Sequence, residues 1–488
     1  MKCRLPLEAA LLSAVVSVAG AVNATETPPF EMNMTVLPVE LDLHDCRIEV
    51  DATGDVEPLL RVTTSPGDGG ATPEFEVSDT GSLIRIARLD PAGVDAAMVT
   101  VELALDPGQA LVIRGQALSI SIQRPITADL ESLPPESDTG EAGSRLEITP
   151  VAYTFDLQDS EVYVVGTPMA TITGVNTVVE AEDGHGDVTV DVQRGSLSLR
   201  RHRGSLRLKS LDSESSVAAL VGTVDLTLDG GDLELSDGSG SVTGHVEGGR
   251  LSIDHWTGTA RLTGEEAEVE VRDGSLSQFD LTGKSTRLAV AGCRGSVTTH
   301  LTGGSLTAEA VHGTLQATVI DDANVEVTGH DGPLILAVRD NSTAAISEIE
   351  GSVKASVERS ELTLAGAEAL DLTAHGARLS VAGVSRIKTF DAAASEFELD
   401  LRDTKGRQYD LVVEYESVAT VLLPSPCRVQ FRGSVAASDN IDVSGCEFQM
   451  QDTGRWRGGS TRGIDGRPVF LLTAVVGEFG SLRVHGGP

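Results

Sequence analysis

Between residues 186 and 372 the chain repeats one short phrase, Gly-x-[Leu/Val]-x-[Leu/Val/Ile], mostly at steps of nine residues. The phrase opens at Gly186 (GDVTV), Gly195 (GSLSL), Gly204 (GSLRL), Gly222 (GTVDL), Gly231 (GDLEL), Gly240 (GSVTG), Gly249 (GRLSI) and Gly258 (GTARL). The one double-length gap holds Ser213, whose SESSV fills the missing slot. Beyond Ala267 (AEVEV) the spacing loosens, and the phrase returns at Gly274, Gly295, Gly304, Gly313, Gly332 and Gly351. A period this short, kept up this far, means stacked units, because no single phrase can bury its own apolar face.

The third and fifth positions of each phrase are apolar and two apart, so an extended strand points both the same way. Leu197 and Leu199 face inward on this reading, while Ser196 and Ser198 face solvent. A helix would need apolar residues at i, i+3 and i+4, which the phrases lack. Glycine suits a corner that needs positive φ or a close backbone approach. The expected fold class is therefore all-β: a single-chain β-helix, or β-solenoid, over residues 146–405. Two nine-residue sides would close an eighteen-residue coil and three a twenty-seven-residue coil, and the period fits either. The competing architecture, hairpins forming sandwiches or a propeller, would favour Asn-Gly or Asp-Gly turns and less regular spacing.

The runs GDVTVDVQRGSLSLRRHRGSLRLKSL and GSVTTHLTGGSLTAEAVHGTLQATV resemble a bacterial family of adhesin-type proteins with β-strand repeats, the adhesin head or "head GIN" domain. The C-terminal GRPVFLLTAVVGEFGSLRV resembles that family's closing strand pair. The resemblance implies an exported, single-chain β-helix acting as an interaction scaffold.

Lys2 and Arg4 precede an apolar stretch from Ala9 to Val22, and Val22-Asn23-Ala24 has small groups where a signal peptidase reads, so residues 1–24 read as a signal peptide. No later apolar segment approaches the ~20 residues of a membrane helix, and an extracytoplasmic location is expected, whether periplasmic, surface or secreted. Residues 25–125 read as a β-rich block, either a small sandwich or a less regular part of the same repeat. Residues 126–145, acidic and rich in Pro, Ser and Gly, read as a linker. Residues 406–488, less repetitive and holding Trp456 among arginines, read as a C-terminal β cap that protects the end of the stack. Of the cysteines left after cleavage, Cys427 and Cys446 flank a compact segment and are the candidate disulfide. Cys46 and Cys293 are expected as buried free thiols.

With 37 Lys+Arg against 73 Asp+Glu, the net charge of −36 argues against nucleic acid as a partner. Aromatics make up 3% of the chain, too few for an obvious stacking platform. The ten histidines form no HxH or HExxH pair, and no cysteine zinc spacing occurs, so no metal and no cofactor is expected. Asp229-Gly230-Gly231-Asp232 falls short of the calcium nonapeptide G-G-x-G-x-D. No catalytic residue stands apart from the repeat. The expected function is a non-enzymatic, adhesin-like or envelope-interaction scaffold whose partner is a surface polymer or an envelope protein. The alternative is a β-helical lyase or hydrolase acting on polysaccharide, with carboxylates aligned from different coils.

Overall fold

A computed structural model describes residues 12–16, 30–33, 39–44, 46–51, 59–65, 75–79, 84–88, 98–104, 110–123, 153–166, 169–402, 408–414, 417–424, 427–432, 441–444, 446–452, 455–457, 469–476 and 481–487. The described residues are strands and turns without a helix. They fall into two units, Met1–Gly244 and His245–Pro488. Each is a parallel β-solenoid, and together they hold about 14 turns.

In the first unit, Val188–Gln193 pairs in parallel with Arg203–Leu211, which pairs in turn with Val221–Asp229. The shorter strands Ser196–Arg200, Glu214–Ala218 and Asp232–Ser236 form a second parallel row between them. Each of these strands thus pairs with the next but one. Leu206 stands between Val188 and Val224, one eighteen-residue coil before and after it. The two-sided coil is the one observed. The second unit repeats the plan, with Arg294–Thr302 on His312–Ile320 in the long row and Arg287–Ala291 on Ser305–Glu309 in the short row.

The N-terminal strands Val39–His44 and Cys46–Asp51 lie in parallel on Leu111–Gln116 and Ser119–Gln123. Those strands continue onto Tyr153–Gln158 and Glu161–Val165. Antiparallel pairs are added by Leu59–Ser65 and Phe75–Asp79. Leu12–Val16, inside the stretch read as a signal, pairs antiparallel with Phe75–Asp79. The expected linker, 126–145, lies outside the described residues. At the other end, Gln408–Glu414 and Val418–Pro424 extend the second unit's two rows, and Val469–Val476 and Ser481–Gly487 stack on them in parallel.

The core is a set of aliphatic columns. Leu206, Leu208, Leu226, Leu233, Leu235, Leu251 and Ile253 are all buried, and Glu234 between two of them is exposed. SESSV supplies a full strand, with Ser215 taking the place that Leu197 and Leu233 hold in its neighbours. The glycines divide into two classes. Gly195 and Gly231 sit at the tight turn between strands, whereas Gly204, Gly222 and Gly240 bend the long strand from within. A Cβ on Gly222 would stand 1.9 Å from the Gly204 carbonyl oxygen, so this column tolerates no side chain. At the turns themselves the left-handed position is often not glycine: Asp183, Arg201, Asp212, Ala219 and Asp237 all hold φ near +50°. Asp and Asn bear that conformation through local hydrogen bonding. Arg201 and Ala219 occupy it because the hydrogen bonds from neighbouring coils fix the turn on both sides.

Buried serines close a corner in each unit. The Ser360 hydroxyl donates to the Glu358 carbonyl (2.9 Å) and accepts from the Ser342 N–H (3.2 Å). Ser395 and Ser213 do the same for the N–H groups of Ala377 and Gly195. These backbone donors would otherwise be buried without a partner.

Leu235→Ala should destabilise its unit by about 2–5 kcal/mol through cavity formation, whereas Glu234→Ala should stay within about 0.5 kcal/mol. Gly222→Ala should cost about 3 kcal/mol or more, from overpacking added to backbone strain. Gly248→Ala, whose Cβ would meet nothing within 4 Å, should cost about 1 kcal/mol. Denaturant titrations followed by far-ultraviolet circular dichroism would measure all four, and equal costs at Gly222 and Gly248 would contradict the packed column.

Candidate functional site

On the outside of each coil, parallel register places equivalent residues of successive coils side by side, and several charged residues there pair from coil to coil. Arg201 reaches Glu182 (2.7 Å) and Asp183 (2.5 Å) on the preceding coil. Lys209 reaches Asp191 (3.1 Å), Lys284 reaches Glu265 (2.6 Å), and Arg378 reaches Glu361 (2.9 Å). The Arg201 hydrogen bond holds the Asp183 carboxyl below its usual range, and the Lys284 ammonium does the same for Glu265. Shifted protonation often marks a catalytic group. Here it marks exposed rungs of a coil-to-coil ladder, each a modest contributor to stability.

One stretch of the long-strand face departs from this pattern. Strands Arg294–Thr302, His312–Ile320 and Leu334–Arg339 present Ser296, Thr298 and His300, then Thr314, Gln316 and Thr318, then Pro333, Ile335 and Ala337. Thr298 stands beside Gln316, which stands beside Ile335, and His300 lies in register with Thr318. Between the exposed Arg294 and Arg339 at the strand ends, these outward positions hold no carboxylate, lysine or arginine, in a chain that is 23% charged. The equivalent face of the first unit is ionic, with Asp191, Arg207, Lys209 and Asp225.

The uncharged face leads into a groove of about 220 Å³ bounded by Ile335, Ser352, Lys354, Asp371 and Lys388. Two irregularities of register shape it. Glu350 and Gly351 together face the single residue Glu368, as the register steps from Ile349–Ala367 to Ser352–Ala369. Lys388 is the extra residue where Leu370 pairs with Ile387 but Asp371 pairs with Thr389. Bulges of this kind leave the inserted residue without a ladder partner and redirect its side chain. Lys388 and Thr389 are consequently both exposed.

Two adjacent donors and a third from the next coil also meet at a turn. Ligand atoms of Asp254, His255 and Asp273 lie within 4.8 Å of one another. The His255 Nδ1 is 3.0 Å from Asp254, and both His255 and Asp273 are exposed. An eighteen-residue step joins His255 to Asp273, which is why no local spacing motif announces the cluster. Cys46 and Cys293 are both buried, and Cys293 is a free thiol. Burial pushes the Cys293 thiol up, and it donates to the Ala291 carbonyl at 3.3 Å.

Cys427 and Cys446, whose side chains lie outside what is described, are direct register partners in a parallel pair. Adjacent strands run about 4.7–4.9 Å apart, within the roughly 4.4–6.8 Å that bridged Cα atoms require. Peptide mapping of the oxidised chain without reduction should therefore recover the two cysteines in one linked fragment. Recovery of both as free thiols would reject the bridge.

A further buried column carries histidine. His202 is 0% exposed. Its Nε2 donates to the Gly186 carbonyl at 2.9 Å, leaving the lone pair on Nδ1 without a partner. Burial pushes the imidazole below its ordinary value and His185 adds to this, while the Gly186 bond and Asp187 oppose it. His330 in the second unit repeats the arrangement, its Nε2 3.3 Å from the Pro333 carbonyl and its pKa likewise lowered chiefly by burial. A depressed histidine pKa means that the unfolded chain takes up the proton first. Stability is then complete above pH ~6.5 and falls as the pH drops, by up to about 1.4 kcal/mol per pH unit and histidine, until the folded-state pKa is passed. His202→Leu, which copies Leu220 at the next coil's equivalent position, should flatten that slope. Urea titrations at stepped pH would show it, and an unchanged slope would remove His202 as the cause.

No family model, curated protein or solved structure matches this chain.

Proposed function

We propose that the protein is an exported, non-enzymatic β-solenoid scaffold, adhesin-like in role, which binds an extended surface polymer or envelope protein along its coils. The observation that carries this reading is the uncharged face of Ser296, Thr298, His300, Thr314, Gln316 and Thr318 in the second unit. A row of hydroxyl and amide groups repeating at the strand spacing of about 4.8 Å matches a partner that itself repeats along its length. Because the side chains stand on parallel strands rather than loops, little order is lost when they bind. Elsewhere several ionic groups hold coil to coil, as Arg201, Lys209 and Lys284 do. That use of charge supports a structural body with one dedicated contact surface. The signal-like N-terminus supports export.

Pull-down of envelope glycans and proteins by the full chain should yield a partner, and Thr298→Glu/Gln316→Glu should reduce its retention at least about tenfold. Thr189→Glu, on the ionic face of the first unit, should leave retention unchanged. Equal retention by both variants would overturn the assignment of the face. Appearance of new reducing ends during incubation with a glycan would instead support the polysaccharide-cleaving alternative.

A further inference from the structure

We infer that the groove between Lys354 and Lys388 is a carboxylate-binding site for an acidic polysaccharide, one whose uronate residues are interspersed with neutral sugars. This rests on the polymer-binding reading of the adjoining face and names the chemistry of its ligand. Four lysines lie in the described residues, and they divide sharply. Lys209 and Lys284 each reach a carboxylate on a neighbouring coil. Lys354 and Lys388 are exposed and form no ion pair among the described residues, although Asp371 lies in register beside Lys354. In a chain of net charge −36, these two lysines leave positive charge available at one groove.

Their placement fits a strand of glycan better than a compact anion. Lys354 and Lys388 belong to coils two steps apart, on either side of Asp371, so their backbones are separated by about 9–10 Å along the stack. A polymer running across the coils meets Thr298, Gln316 and Ile335 first and then the two ammonium groups. The hydroxyl and amide groups suit neutral sugar hydroxyls, Ile335 offers an apolar contact for a ring face, and the lysines suit carboxylates. Asp371 between them rejects a ligand with continuous negative charge, and it can accept hydrogen bonds from a neutral sugar placed there. The Lys388 bulge is what turns that ammonium outward to the groove. Nucleic acid fits poorly, since a continuous phosphate backbone would face Asp371, Glu350 and Glu368 without aromatic stacking beside them.

Titration calorimetry on the full chain tests this with a hyaluronan oligosaccharide, in which glucuronate alternates with a neutral N-acetylated sugar, and with the same oligomer after its carboxyls are reduced to alcohols. The acid form should bind at least about tenfold more tightly, as expected for charge-assisted hydrogen bonds, and the advantage should shrink as salt is raised. Lys354→Gln/Lys388→Gln should abolish the preference while leaving binding of the reduced oligomer. Lys209→Gln/Lys284→Gln should keep it. Thermal unfolding of both variants, expected to match wild type at these exposed sites, guards against misfolding. If the acid and reduced forms bind wild type equally, or if the Lys354/Lys388 variant keeps the preference, the carboxylate site is rejected and the scaffold reading stands. If neither form binds wild type, both readings of this face fail together.

Discussion

The coil-to-coil backbone ladder is the interaction on which everything else in this protein depends. Each strand is five to ten residues long in most of the repeat, too short to hold a fold on its own. Each buries its apolar side only because an equivalent strand lies above and below in parallel register. Parallel pairing repeats every coil, so whatever occupies one position is forced beside its counterpart in the next. That constraint turns point choices into columns. It selects glycine at Gly204, Gly222 and Gly240, where carbonyls approach within the reach of a Cβ. It also selects serine where a corner N–H needs an acceptor.

Parallel stacking sets charged residues side by side, and the surface shows how the chain manages this. Arg207 lies next to Asp225, Lys209 next to Asp191, and Arg261 next to Asp280. Opposite signs meet at these points, while elsewhere acidic residues do stand side by side, as Glu214 and Asp232 or Glu49 and Glu102. Each pair is solvated and individually weak. Against that background an uncharged strip is informative. It is a place where surface residues are not engaged in ion pairs, and their side chains are left for something else.

Much of the fold was legible in the sequence because a solenoid is local. Strand direction, the inward Leu and Val, and the strand hidden in SESSV follow from alternation and period alone. The number of sides was not legible, since a nine-residue period fits eighteen or twenty-seven, and only the observed pairing of Leu206 with Val188 and Val224 decides. The corners misled in part. Glycine of the repeated phrase marks the bend within the long strand as often as the turn, while many true turns use Asp, Arg or Ala. The site was the least legible. Lys354, Asp371 and Lys388 obey the ordinary phrase as far as spacing shows, and their groove exists because two bulges shift the register by a residue. Bulges break a period, and a reading based on period passes over them. The Cys427–Cys446 register was hidden for a related reason: that segment is excluded from the repeat but still stacks in parallel.

Several coils are one residue longer than eighteen, as between Gly295 and its partner Leu276, or Gly332 and its partner Gly313. The parallel columns continue through them with the extra residue taken up at a bulge or a turn. A coil in such a stack touches only its neighbours, and its edges are the same above and below. Tandem duplication or loss of one coil in the gene therefore produces a chain that still closes on itself, longer or shorter by one rung. Among descendants of such a protein, reach becomes a quantity that recombination can adjust without inventing a new core.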